Sequence, residues 1–288
     1  MATFTVNPGA TAIDGEVHYS GFTQFYNLVS GFGGATMTKD DADANYRIYI
    51  GTTGSFISGE WETVSRGILL FDVAGSIAAG DLPAGAVVTA AEVSVYPNGT
   101  AANNFGGTEL VLAAYDRTLL TSTTTLTTSD DYRNYRTVEI IEDPPATFNY
   151  YYMHPTNAEY GTTRKAYADV VSGTRIAFTL NATALAELNA SITGSYPFHT
   201  SLLTNWDFDY DWSDYQDPTT GATNPTWVSN VEDSLSISSG RNATVSQRPQ
   251  LNLTYYVGTG NATLEVVGQK ASAGDTLEAS FFHLEVFT

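Results

Sequence analysis

Two apolar stretches separated by a proline-glycine turn constrain the fold of this chain more than any other feature. The first stretch runs from Arg66 to Val73, and the second, from Val87 to Tyr96, alternates between apolar and polar residues. The turn Leu82-Pro83-Ala84-Gly85 lies between them. Alternation with a period of two predicts a strand with one buried face, and proline-glycine clusters predict the turns that join strands. The pattern therefore predicts a β-sandwich.

The remaining chain continues the same pattern. The 18 tyrosines and 14 phenylalanines favour strands, and the 25 glycines and 10 prolines supply turns. Residues 181–188 predict the one short helix, with Asn181 as its N-cap. Further strands are predicted at 46–50, 110–115, 136–141, 175–180, 198–207, 234–238 and 250–256.

The last part of the chain is predicted to be an addition to the sandwich. We divide the chain into a sandwich domain, 1–256, and a C-terminal β extension, 257–288, with strands at 262–267 and 276–287. The final strand carries apolar side chains on both faces, and such a strand needs cover on both sides. We therefore predict an assembly element whose contacts are made by Phe281, Phe282, Leu284, Val286 and Phe287.

Between residues 60 and 256 the chain resembles a known family. The apolar strand, the Pro-Ala-Gly turn, the alternating strand, the late helix and a closing strand that begins Arg248-Pro249-Gln250 follow in order. This order resembles the DNRLRE-type sandwich, a jelly-roll module akin to carbohydrate-binding modules. Such modules occur in microbial surface proteins and in structural proteins of tailed phages. The resemblance implies an all-β, jelly-roll-like antiparallel β-sandwich, and it carries over no catalytic residue set.

The net charge of the chain limits the classes of partner that it can bind. There are 31 acidic residues against 12 lysines and arginines, and the net charge is −19. A field of this sign repels phosphate backbones, so we expect no nucleic-acid partner. No stretch approaches the roughly 18 apolar residues of a membrane span, so we expect no membrane insertion. With no cysteine and no visible export signal, we expect synthesis in a cytoplasm without disulfides or thiol chemistry.

The segment 205–217 is the sharpest candidate site. It holds five aspartates within eleven residues, interleaved with aromatic residues. If the strand before it continues, Asp207, Asp209 and Asp211 share one face, with Asp214 nearby. Carboxylate oxygens suit calcium, so a calcium site on these four aspartates is one interpretation, and a solvated acidic loop with no cofactor is the other.

Aromatic residues offer a second kind of site. Trp206 and Trp212 lie within the acidic segment and Trp227 follows it, while Tyr150, Tyr151 and Tyr152 follow one another on a predicted strand. Exposed aromatic rings stack on sugars or anchor protein interfaces. Both glycan binding and packing between subunits stay open at this point.

These features together predict a non-enzymatic structural protein of a virion. We expect a capsid decoration or head-fibre protein of a tailed phage, displayed on the virion surface, that binds itself as a homo-oligomer and binds the major capsid or other virion proteins. The alternative is a glycan-binding or adhesive module of a cell surface or tail fibre, which would be extracellular. No constellation of acid, base and nucleophile stands out in the sequence, so we expect no enzyme.

Overall fold

The computed structural model describes residues 1–8, 14–23, 36–40, 47–115, 136–141, 150–155, 158–209 and 227–257. All of them belong to one compact unit, Met1–Val257. The rest of the chain, Gly258–Thr288, contains the predicted C-terminal extension and lies outside the described residues.

The described chain forms two main antiparallel sheets and a separate two-stranded ribbon. The strands are β1 Ala2–Val6, β2 Asp14–Thr23, β3 Thr36–Asp40, β4 Arg47–Gly54, β5 Trp61–Phe71, β6 Ala86–Val95, β7 Ala102–Asn103, β8 Glu109–Ala114, β9 Arg136–Ile141, β10 Tyr150–Pro155, β11 Lys165–Ala166, β12 Ile176–Thr179, β13 Phe198–Thr204, β14 Glu232–Ser238 and β15 Gln250–Val257. The smaller sheet has the order β1-β15-β6-β12. The larger sheet has the order β11-β8-β13-β5-β4-β14-β7, in which β2 also pairs with β5 and β3 pairs with β2, and the ribbon pairs β9 with β10.

The two main sheets share one hydrophobic core. The chain passes from β5 in the larger sheet to β6 in the smaller one, and it crosses between these sheets again at β7, β12, β13 and β15. The alternating residues of β6 and β15 meet those of β5, β8 and β13 in a single cluster, as two packed sheets require. The most buried members include Val93, Val95, Leu112, Phe178, Phe198, Leu202 and Leu251. The predicted jelly-roll-like antiparallel sandwich is confirmed.

Three short α-helices lie between the strands of the described residues, where the sequence predicted one. They are α1 Val73–Ala78, α2 Ala182–Gly194 and α3 Asn205–Phe208. The expected cap of α2 is confirmed, because Oδ1 of Asn181 accepts a hydrogen bond from the Ala184 N–H at 3.0 Å. Asp72 caps α1 in the same way, with Oδ1 2.7 Å from the Gly75 nitrogen. None of the helices in the described part of the chain has the length and apolar character needed to cross a membrane.

Strand β5 lies at the centre of the larger sheet. It pairs with β2, β4 and β13, and its second half is buried on both faces. Pairing between β4 and β5 extends from Gly54–Trp61 to Gly51–Ser65 and stops there. The preceding β4 residues Ile48 and Ile50 pack over Gly67 of β5. A Cβ atom on Gly67 would lie 3.1 and 3.2 Å from these two side chains, which would have to shift by a few tenths of an ångström to accommodate it.

Several predicted boundaries differ from the structure. Strand β4 continues to Gly54 where the prediction ended at residue 50, and α2 continues to Gly194 where the prediction ended at residue 188. Strand β13 ends at Thr204, whereas the sequence predicted a strand through residue 207, because the chain turns into α3 at that point. Strand β15 continues one residue beyond the predicted end, since Val257 pairs with Ala86.

A buried carboxyl joins the start of β2 to the turn after β14. Asp14 is 1% exposed, and its Oδ2 accepts a hydrogen bond from the Gly240 N–H. Burial raises the pKa of Asp14 above its ordinary value, and the opposing effects of the Gly240 hydrogen bond and of Arg241 and Arg248 are smaller. The folded state therefore favours the protonated carboxyl.

We predict that Asp14→Asn stabilises the protein at neutral pH. A raised pKa contributes stability that is present below the ordinary carboxyl pKa and is lost as pH rises through the folded pKa. Asparagine keeps the acceptor for Gly240 and does not ionise. Thermal melts from pH 3 to pH 8 should show the variant melting above the wild type at pH 7, with the gap closing at acidic pH. An equal gap at every pH would contradict this, and the exposed Asp81→Asn is the matched control.

Candidate functional site

The acidic segment begins as a turn of helix. Thr204 caps α3, with its Oγ1 3.3 Å from the Asp207 nitrogen, and the side chain of Asn205 bonds the Glu109 N–H at 2.9 Å. Side chains on a helical turn point in different directions, so Asp207 and Asp209 do not share a face as strand alternation predicted. That part of the sequence prediction is wrong.

Asp207 forms a buried ion pair with Arg66 of β5. The guanidinium donates from Nε to Oδ2 at 2.6 Å and from its terminal nitrogen to Oδ1 at 2.8 Å, and both side chains are less than 5% exposed. Two parallel hydrogen bonds fix the relative orientation of both groups. The pair therefore holds α3 against the outer face of the larger sheet, where Phe208 also packs on Ala113 and Leu203.

Asp209 pairs with Arg164, which binds several acidic groups. Arg164 donates to Asp209 at 2.8 Å and to Glu159 at 3.1 Å, and it lies 4.0 Å from Glu109. Its guanidinium carbon also lies 5.5 Å from the centre of the Phe208 ring. Hydrogen bonds to Asp209 and Glu159 raise the pKa of Arg164 above its ordinary value. One cation is thus shared by three carboxylates, and the cluster keeps a net negative charge.

These pairings bear on the predicted calcium site. Two of its four ligands, Asp207 and Asp209, face guanidinium groups, and Asp211 and Asp214 lie outside the described residues. Among the residues that the structure describes, no group of three metal-ligating side chains comes together. A calcium site remains a prediction, and it rests on Asp211 and Asp214.

Trp206 belongs to a buried hydrogen-bond chain. Its Nε1 donates to Thr108 Oγ1 at 2.8 Å, and that hydroxyl donates to Oδ2 of Asp233. The other oxygen of Asp233 accepts from the backbone N–H groups of Asn104 and Phe105, so the buried carboxylate holds the whole 104–108 loop. These bonds leave the carboxylate fully partnered although it is 0% exposed.

Aromatic side chains gather at this end of the sandwich. The ring of Trp61 meets Phe105 edge to face, with 5.2 Å between centroids, and Trp227 Nε1 donates to the neighbouring Glu60 carbonyl at 2.8 Å. Trp206 contacts the same loop through its hydrogen bond to Thr108. We call this group, Trp61, Phe105, Trp206 and Trp227, the aromatic end. The structure thus brings two of the three predicted tryptophans to one end of the molecule, both partly buried.

The other predicted site residues cannot be placed as fully. Tyr150, Tyr151 and Tyr152 lie on β10, which pairs with β9 from Tyr150–Ile141 to Pro155–Arg136. Trp212 lies outside the described residues, as do the predicted assembly residues Phe281, Phe282, Leu284, Val286 and Phe287.

A shallow groove of about 520 Å³ runs beside α2. The groove carries few functional groups, because Tyr160 and Glu187 are accompanied only by alanines and one threonine. The Glu187 carboxylate already accepts a hydrogen bond from the Tyr196 hydroxyl at 3.2 Å. Burial, together with the nearby Glu187 carboxylate and Tyr196, raises the pKa of Tyr160, which therefore stays protonated. The lining residues are Ala114, Ala158, Tyr160, Thr183, Ala186, Glu187 and Ala190.

Sequence reasoning missed the two arginines that bind the acidic segment. A signal existed for Arg66, because a charged residue at the head of the apolar run 67–71 needs a buried partner. A second missed feature is the apolar pair Phe56-Ile57 in the turn between β4 and β5, where polar residues are usual.

Comparison with known proteins leaves the chain without an assigned relative. No protein-family model matches it, and no curated protein sequence matches it. The arguments that follow therefore rest on the geometry of the described residues.

We predict that removing one partner of the buried ion pair is far more damaging than replacing both. Asp207→Ala leaves the Arg66 charge buried without its carboxylate, and it should lower the free energy of unfolding by about 3–5 kcal/mol. The double variant Arg66→Met/Asp207→Leu should recover most of that loss. Urea denaturation measures both values.

The matched control for this experiment is Asp209→Ala. It breaks a pair that is partly exposed and should cost less than about 1 kcal/mol. Equal losses for Asp207→Ala and Asp209→Ala would show that the buried pair does not anchor α3.

Proposed function

We propose that this chain is a non-enzymatic structural protein of a virion, a capsid decoration or head-fibre protein of a tailed phage. In this role it is displayed on the particle surface, associates with copies of itself and attaches to the major capsid or other virion proteins. The resemblance to DNRLRE-type sandwiches suggests this class, and the all-β sandwich is a fold that suits it.

One observation supports the proposal most directly. Strand β1 pairs with β15, so that Ala2 faces Tyr255 and both ends of the unit Met1–Val257 meet in the smaller sheet. Strand β1 has one strand neighbour among the described strands, β15. A sheet edge of this kind is a natural place for chains to associate.

The surface charge is compatible with this role. A net charge of −19 keeps a protein soluble at the high local concentration of a particle surface. It also favours a partner with basic groups at the contact, since opposite charges speed association and exclude wrong partners.

We predict that the chain is a component of purified particles. Mass spectrometry of particles from the phage that encodes it should find the chain in stoichiometric amount, and its absence from every preparation would rule the proposal out. A variant that ends at Val257 should keep the melting transition of the sandwich and should fail to assemble or to bind particles. If the shortened chain is unfolded, the segment 258–288 belongs to the core and this part of the proposal is wrong.

A second candidate function is glycan binding, and the aromatic end is the observation that favours it. Trp206 and Trp227 lie at the same end of the sandwich, next to the start of the acidic segment. A glycan array probed with and without chelator tests this candidate. Binding that Trp227→Ala abolishes would support it, and sensitivity to chelator would show that a cation at Asp211 and Asp214 takes part. No binding to any glycan would contradict this candidate, and the structural role would then be the one proposed function.

A further inference from the structure

The two edges of the smaller sheet differ in what lies beside them. The β12 edge is covered, because Gly161 forms an isolated bridge with Leu180 and the Thr162 N–H donates to the Thr179 carbonyl at 2.9 Å. At the opposite edge, β1 pairs with β15 and with no other strand among those that the structure describes. The outer side of β1 is therefore an open sheet edge within the described part of the chain.

Strand β1 also lacks the features that usually protect a sheet edge. Edge strands commonly carry lysine, proline or a bulge, each of which hinders pairing with a further chain. The residues Ala2–Val6 include no charged residue and no proline, and they pair with β15 in an unbroken register. Strand β15 contains no charged residue either. In a chain with a net charge of −19, a second copy can approach these two strands without meeting like charges on them.

The sequence of β1 is nearly symmetric about Phe4, since it reads Ala-Thr-Phe-Thr-Val. If two copies pair antiparallel about a two-fold axis at Phe4, this residue faces Phe4 of the partner subunit, and Thr3 faces Thr5 of the partner subunit. Aromatic pairs and threonine pairs are favourable cross-strand partners. A two-fold axis requires such a self-complementary contact, so the symmetry of the strand favours a second copy over a strand of another protein.

Phe4 gains burial from this pairing. It faces Leu253 of β15 and packs against the core shared by the two main sheets, but it is only partly buried. Its neighbours Thr3 and Thr5 alternate to the other face of the sheet and are exposed. In the pair, the two Phe4 rings would lie side by side on the core face of one continuous sheet, where each removes apolar surface of the other from water.

We propose that β1 is the contact through which two copies of this chain associate, by antiparallel pairing of β1 with β1 of a second copy about a two-fold axis at Phe4. The smaller sheets of the two copies then join into one continuous sheet. The proposal deepens the proposed function, on which it rests for the biological role of the dimer, because it identifies the partner and the register at the open sheet edge.

Two double variants of the full-length chain test this register. Thr3→Lys/Thr5→Lys places lysine opposite lysine twice in each dimer, and it should raise the dimer dissociation constant by about tenfold or more. Thr3→Lys/Thr5→Glu is the matched control, because it changes the same exposed positions but places lysine opposite glutamate, and it should pair at least as well as the wild type. Sedimentation equilibrium measures these constants, with the wild-type dimer expected at twice the 30.9 kDa of one chain.

A cysteine at the two-fold axis tests the contact without the lysine variants. The chain contains no cysteine, and directly opposed residues of an antiparallel pair are close enough to form a disulfide. Phe4→Cys should therefore give a disulfide-linked dimer on a non-reducing denaturing gel. Thr254→Cys, on β15, is the control and should stay monomeric, because three strand spacings, about 14 Å in total, would separate its two copies.

Several outcomes would overturn the proposal. The wild type could be monomeric at every concentration tested, or the two double variants could dimerise to the same extent. Crosslinking of Thr254→Cys as complete as that of Phe4→Cys would show that another surface forms the contact. Absence of the chain from particles would refute the proposed function alone, because pairing is measured on the purified protein. A chain that is present in particles but monomeric in solution would refute the pairing alone.

Discussion

The buried ion pair of Arg66 and Asp207 connects the central strand of the larger sheet to α3, at the start of the acidic segment. Arg66 lies on the central strand β5, and Asp207 lies in the turn that opens the acidic segment, 141 residues later. Both charges are removed from water, and two parallel hydrogen bonds join them. This contact acts together with the hydrogen bonds of Asn205, Trp206 and Asp209 to fix the position of α3.

A second buried carboxylate organises the loops at the same end. Asp233 binds two backbone N–H groups of the 104–108 loop and the Thr108 hydroxyl, and that hydroxyl receives the Trp206 N–H. Because the carboxylate is fully buried, loss of any one donor would leave it poorly solvated. The 104–108 loop is therefore fixed relative to β14.

The sequence allowed the sandwich to be predicted because strand alternation and turn residues are local signals. The strands around Val93, Phe178 and Leu253 lie where their patterns placed them, and Asn181 caps its helix. The site was less predictable, because its contacts join distant positions. Nothing near Asp207 in the sequence indicates Arg66, and the pairing of Arg164 with Asp209 depends on how two loops meet. The aspartate alternation failed for a local reason, since Thr204 caps a helical turn where a continuing strand was expected.

The use of cations explains why the surface of the protein is so acidic. The chain has 12 lysines and arginines, and several of the arginines are engaged inside the fold. Arg66 neutralises Asp207, Arg164 is shared by Glu159 and Asp209, and Arg175 donates to the Arg248 carbonyl at 2.7 Å. With 31 acidic residues in the chain, most carboxylates have no basic side chain to pair with. A contact made at such an acidic surface gains most from a partner that supplies positive charge.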